Sequence, residues 1–262
     1  MEHLPEEYTQ RVLRGAGKIH WDSERLAGSS IHPDLARILH VGALLEDDTA
    51  ITVRHADSLG LSRSRDLAQF LPMWDEEEAE HGRALHFLLG HQRYTPPEAA
   101  PASISRRRRA LSRLPLAAVG RFPQTPFLFC VLGAAAEYVA TVTYHELIKR
   151  VDDPSVTQLL RDITRQEARH FAFFLAAAKH RGAALSATNG RIARRALTAM
   201  WEPIGVPSLG RPVWERLFGE WMHDEDFVTR ITMMDRVVDS IPHLRELHLM
   251  ETFLQETLSR AA

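Results

Sequence analysis

Residues 74–82 read Trp-Asp-Glu-Glu-Glu-Ala-Glu-His-Gly, and residues 163–170 read Ile-Thr-Arg-Gln-Glu-Ala-Arg-His. Each stretch contains a Glu-x-x-His: Glu78 with His81, and Glu167 with His170. On a helix this spacing puts a carboxylate and an imidazole one turn apart on the same face. With 20 Glu and 14 His in 262 residues, about one such match is expected by chance. Three occur, the third being Glu220 with His223, so the neighbours of each pair must decide. The stripe through the first pair is Leu71, Trp74, Glu78, His81, Leu85, Leu88, and through the second Leu160, Ile163, Glu167, His170, Phe174, Ala177. In both, polar groups interrupt an apolar stripe that should face a core. The stripe through the third pair, with Arg216 and Arg230 on it, is a solvated face, and that pair reads as the chance match.

Two more stripes carry one acid each. Glu46 interrupts Leu35, Leu39, Gly42, Thr49 and Val53, and Glu137 interrupts Cys130, Gly133, Ala140 and Tyr144. Glu137 is the only charged side chain between Arg121 and His145. One Glu from each of two helices, with a Glu-x-x-His from each of two others, is the ligand set of a carboxylate-bridged two-metal bundle. No lysine or arginine on these stripes neutralises four buried glutamates, whereas two divalent cations do. The candidate ligands are therefore Glu46, Glu78, His81, Glu137, Glu167 and His170. An oxygen-rich set with two imidazoles suits iron or manganese better than zinc, and the residues do not separate those two. Glu46, Asp47 and Asp48 are consecutive. Asp47 shares its face with His40 and Arg54, so Glu46 is preferred and Asp47 is the alternative.

The expected architecture is all-α. A first long helix opens at Pro33 and runs to about Asp57, and after a Gly60 turn a second spans about 64–90. A connection rich in Pro and Arg follows, with Arg106, Arg107, Arg108 and Arg109 in succession. A third helix covers about 126–150. Asp153 and Pro154 open a fourth that ends near Gly182. The tight link between helices three and four predicts antiparallel packing. The bundle thus occupies about residues 31–182, and the shorter helical stretches of 183–262, broken at Pro203, Pro207, Pro212 and Pro242, are read as a cap within one domain.

Composition narrows the function classes. A net charge of -2 gives no global case for nucleic-acid binding, and one cysteine, Cys130, excludes a disulfide framework or a Cys-rich zinc site. The first ten residues are acidic and lack an apolar core, so no secretory signal is expected and a reducing cytoplasm is the expected setting. Residues 122–144 are the nearest approach to a membrane span, but two early prolines and Glu137 favour a buried core helix and no membrane association. No glycine fingerprint for a nicotinamide or flavin is present. Gly190, Gly205 and Gly210 read as turn residues.

Segments 74–82 and 163–170 resemble the W-x-x-E-E-x-R-H-G and I-x-x-D-E-x-R-H motifs of the soluble acyl-carrier-protein desaturases. The sequence Leu45-Glu46-Asp47-Asp48 is similar to the first-helix acidic cluster of that family, and Glu137 takes its third-helix position. The resemblance covers about residues 30–182. It implies a ferritin-like fold with two iron ions per chain. It also implies oxygen-dependent desaturation of a fatty acyl chain on acyl carrier protein, an external electron donor such as a ferredoxin, and a homodimer. Three positions depart from the pattern: Gln166 replaces an aspartate, Glu80 an arginine, and Ala140 a threonine. The alternatives are a hydroxylase or N-oxygenase of a small metabolite, and a ferritin-type iron-oxidising or storage protein. Tyr144 is read as a core aromatic with a bonded hydroxyl, ahead of a relay beside the metals. His86, Phe171 and Phe174 are read as lining the bundle or packing beside it, and His40, His55 and His145 as surface or supporting residues. The small residues at 133–136 and 176–178 allow close packing or an apolar tunnel.

Overall fold

The computed structural model describes residues 3–97, 122 and 124–261, and among these it is all helical, without strands. Two short helices, α1 (Glu6–Arg14) and α2 (Ser23–Ala27), precede four long ones. The long helices are α3 (Pro33–Ser58), α4 (Arg65–Gly90), α5 (Gln124–Arg150) and α6 (Pro154–Ala184). Five shorter helices follow: α7 (Ala187–Met200), α8 (Val206–Leu209), α9 (Arg211–Phe218), α10 (Glu225–Asp239) and α11 (Leu249–Ala261). The four arginines at 106–109 lie outside the described residues.

Local chemistry sets the ends of the long helices close to where the sequence puts them. Pro33 occupies the first turn of α3, where His32 Nδ1 accepts from Asp34 N. Asp153 caps α6 by accepting from Ser155 N at 2.8 Å and Val156 N at 3.1 Å. Gly60, at φ +74°, turns the chain between α3 and α4 in a conformation that L side chains avoid. Antiparallel α3 and α4 form one pair and antiparallel α5 and α6 the other, together making a four-helix bundle.

Helix α5 is apolar on every side because bundle and cap cover it from opposite directions. It is the one described helix long and apolar enough to cross a membrane, yet half of that apolar window is buried in the protein. On its bundle side Gly133 admits the ring of Phe174, which would lie 2.7 Å from a Cβ at that position. On its outer side Tyr138 donates to Arg230 O at 2.8 Å, and buried Glu146 pairs with Arg150 and Arg230. The cap also reaches α3, where Val41 packs with Leu209 and Val213. Gly205 and Gly210 take φ of +88° and +80° at turns. Gly190 corrects the turn reading. It lies inside α7, where its missing Cβ leaves room for the ring of His243.

Candidate metal centre

The six expected side chains meet at mid-bundle: Glu46 from α3, Glu78 and His81 from α4, Glu137 from α5, and Glu167 and His170 from α6. All are buried, the two histidines completely. They form two overlapping groups, Glu46–Glu78–His81–Glu167 and Glu78–Glu137–Glu167–His170, each with its donor atoms within 4.8 Å of one another. Glu78 and Glu167 belong to both groups, so each could serve an ion held in either. His81 Nδ1 lies 3.2 Å from Glu167 Oε1 and 3.8 Å from Glu46 Oε2. His170 Nδ1 lies 2.9 Å from Glu78 Oε1 and 4.0 Å from Glu137 Oε2.

Atoms facing the centre fit a pair of cations. Glu78 Oε1, both Glu167 oxygens and both Nδ1 atoms are buried without a hydrogen-bond partner. Such orphans are costly unless something coordinates them. The outward nitrogens are bonded: His81 Nε2 meets Gln166 Oε1 at 2.7 Å, and His170 Nε2 meets Glu77 Oε2 at 2.7 Å. Gln166 Nε2 donates to Gly17 O at 2.5 Å, which leaves its Oε1 for His81. With both Nε2 protons held by these acceptors, a cation in the centre would meet two neutral rings whose Nδ1 lone pairs point inward. Four carboxylates and two neutral imidazoles carry the charge that two divalent ions neutralise.

Titration behaviour shows the strain of this crowding. Burial, then the charge of Glu167, raises Glu78 and Glu137 well above the ordinary carboxylate range. Burial opposes ionisation of Glu167, but the closeness of Glu137, His170 and His81 holds it low. Burial also works against a charged His170, and the nearby Glu167 carboxylate with the bond to Glu77 outweighs that, lifting it to about 9.

The geometry decides between Glu46 and Asp47. Asp47 is exposed and bonds His86 Nε2 at 2.8 Å, away from the centre. Glu220 and His223 are exposed too, beside a 3-10 turn. His55 and His145 are exposed, and His40 bonds Tyr94 OH at 2.7 Å. Tyr144 is a buried core aromatic with a bonded hydroxyl, and the acceptor is Glu46 itself. Two features escaped the sequence. The residue before each shared glutamate crosses to the histidine of the other helix: Glu77 to His170, and Gln166 to His81. The shared frame x-Glu-x-x-His was the signal for that exchange. The second is the segment after α1, which supplies Gly17 N to Glu77 Oε1 at 2.9 Å and Gly17 O to Gln166; no sequence pattern marked it.

A cavity of about 400 Å³ adjoins the centre. Glu46, Glu78, Glu137 and Glu167 are in its wall, while neither histidine is. Leu39, Gly133, Ala136 and Ala140 line it from the bundle, and Trp214 and Phe218 from the cap. Exposed Asp48, Thr52 and Leu132 mark where it meets solvent. Compared with known proteins, the chain matches no family model, no curated protein and no solved structure.

Proposed function

We propose that this chain is a ferritin-like, two-metal oxidoreductase that uses dioxygen to oxidise an apolar substrate held beside the four carboxylates. The observation that carries this reading is the cavity of about 400 Å³, apolar apart from a few threonines and acids, which takes the inward acids as part of its wall. A storage or ferroxidase site needs access for ions and no apolar chamber. Oxidation of an unactivated C–H bond needs a held substrate and exclusion of water.

The residues divide the work. Glu46, Glu78, His81, Glu137, Glu167 and His170 would hold two iron ions, with manganese the alternative. When bound, the pair supplies the redox chemistry that couples dioxygen to the substrate. Gln166 and Glu77 aim the imidazoles from the side away from the cavity. Tyr144 donates to Glu46 and fixes that carboxylate. Leu39, Ala136, Ala140, Trp214 and Phe218 position the substrate and keep water out.

By the resemblance of segments 74–82 and 163–170, the substrate is a fatty acyl chain on acyl carrier protein. The balance is one dioxygen, two electrons and two protons consumed, with two waters and one double bond formed. The electrons come from an external donor such as a ferredoxin. The cap residues Trp214 and Phe218 in the cavity wall favour a second reading, a compact metabolite that is hydroxylated or N-oxygenated, with one oxygen retained and one water released.

Mass spectrometry of products tests both. Metal-loaded protein with acyl carrier substrate, reductant and oxygen is expected to yield a product lighter by two hydrogens. A product heavier by one oxygen selects the second reading. Ala140→Phe should fill the cavity and stop turnover while metal content is kept. Turnover unaffected by that substitution would remove the cavity from the reaction. Iron uptake into a large cage in place of any substrate product would move the protein to storage.

A further inference from the structure

A second recess lies on the outer surface, behind the histidines and opposite the cavity. Its volume is about 210 Å³, and its wall is formed by Gly15, Lys18, Ile19 and His20 after α1, with Asp162, Arg165, Gln166 and Arg169 from α6. Three permanent cations face one acid. That acid, Asp162, is already engaged, accepting from Arg165 at 2.6 Å and from Gln158 at 3.1 Å. Lys18 also feels the charge of Glu80, which Trp21 and Arg83 already bond. Arg165 is thereby paired with Asp162 and Arg169 with Glu77, so the positive surplus of the wall is the charge of Lys18.

The floor of this recess is the outer support of the metal centre. Gln166 bonds His81 and Gly17 O, and Arg169 bonds Gly15 O and the Glu77 that holds His170. Residues 15–20 therefore form a strap across both supporting side chains. Cations lining a concave space roomy enough for a phosphate group attract an oxyanion through charge-assisted hydrogen bonds. We propose that this recess binds a phosphate group, and that the bound group clamps the strap over Gln166 and Glu77. Lys18 and Arg165 reach the anion from the two sides, and His20 and Arg169 complete its surroundings. This site goes beyond the oxidoreductase reading and does not depend on it.

Amide hydrogen exchange of the full chain, followed by mass spectrometry, provides the test. Inorganic phosphate is compared with chloride at matched ionic strength, in the parent and in the Lys18→Ala/Arg165→Ala double variant. Both residues are exposed, so the variant should keep the parent's melting temperature. Phosphate is expected to slow exchange across residues 15–20 several-fold in the parent and not in the variant. Glycerol phosphate acting at lower concentration than inorganic phosphate would identify a phosphate carried on a larger molecule; the reverse would identify the free ion. Equal exchange in phosphate and chloride, or equal protection of the variant, would overturn the proposal.

Discussion

At the scale of single residues, the candidate centre is a problem of charge. Glu137 enters from α5, an apolar helix, and meets two acids that oppose its charge and His170, which favours it; a cation held by the group would compensate it further. Glu137→Ala should leave one of the two groups a ligand short. Metal analysis is then expected to show a sharp fall from two ions per chain, while Glu220→Ala, at an exposed position, leaves the content unchanged. Unchanged occupancy in Glu137→Ala would remove that residue from the ligand set. Gln166 acts one shell further out, since its amide oxygen takes the His81 proton that would otherwise be buried without an acceptor. Gln166→Leu should weaken metal binding about 10- to 100-fold without removing a ligand. Competition against a chelator of known affinity measures that shift.

At the scale of elements, helix ends are locked by groups far from the centre. Asp66, at the start of α4, accepts from Arg181 of α6 at 2.8 Å, from Ser64 at 2.6 Å and from Leu4 N at 2.9 Å. The pair is buried, so removing one partner strands the other. Arg181→Met should cost about 3–5 kcal/mol in urea unfolding. Burial pushes the Asp66 carboxyl up, but the hydrogen bond and charge of Arg181 outweigh it and hold the carboxyl below its ordinary value of 3.8. The unfolded chain then binds the proton more readily than the folded one. The stabilisation is present in full above the ordinary value and is lost as pH falls through the lowered one. Unfolding free energies across acid pH should show this limb in the parent and lack it in Asp66→Asn. Helix α4 also carries Pro72 in its interior, which costs a helix about 3 kcal/mol. The helix continues through it because Phe70, Leu71 and Trp74 are buried against the bundle on either side.

At the scale of the whole molecule, four helices meet through buried acids that repel one another, and a cation held among them would relieve that repulsion. Metal that binds only the folded chain stabilises it by mass action, by about 2.7 kcal/mol at a hundredfold excess over the dissociation constant. The melting temperature should therefore climb with added ferrous or manganous ion, and Glu137→Ala should flatten the climb. Protons compete for the same carboxylates and imidazoles, so the metal-dependent gain should shrink as pH is lowered. A gain that is independent of pH, or one that survives in Glu137→Ala, would place the ion elsewhere.

How much of this was legible in the sequence depends on the range of the interaction. The long helices were readable because capping and apolar period are local: Pro33, Asp153 and the stripes around Glu78 and Glu167 act within a few residues. The six inward side chains were readable because an acid in an apolar stripe has few physical explanations. Glu46 over Asp47 was a preference only, and the meeting of Asp47 with His86 across two helices decided it. The crossed supports Glu77 and Gln166, the strap at Gly17 and the hold of Tyr144 on Glu46 join residues 60 to 149 positions apart. No local pattern encodes such pairings. Small residues at 133–136 were compatible with a filled core or an open one. Packing settled this in both directions, since Gly133 lets Phe174 in while Ala136 and Ala140 leave space beneath Trp214. Periodicity fixes which face of each helix turns inward, but only the packed helices and their cap determine whether the space between those faces is filled or left open.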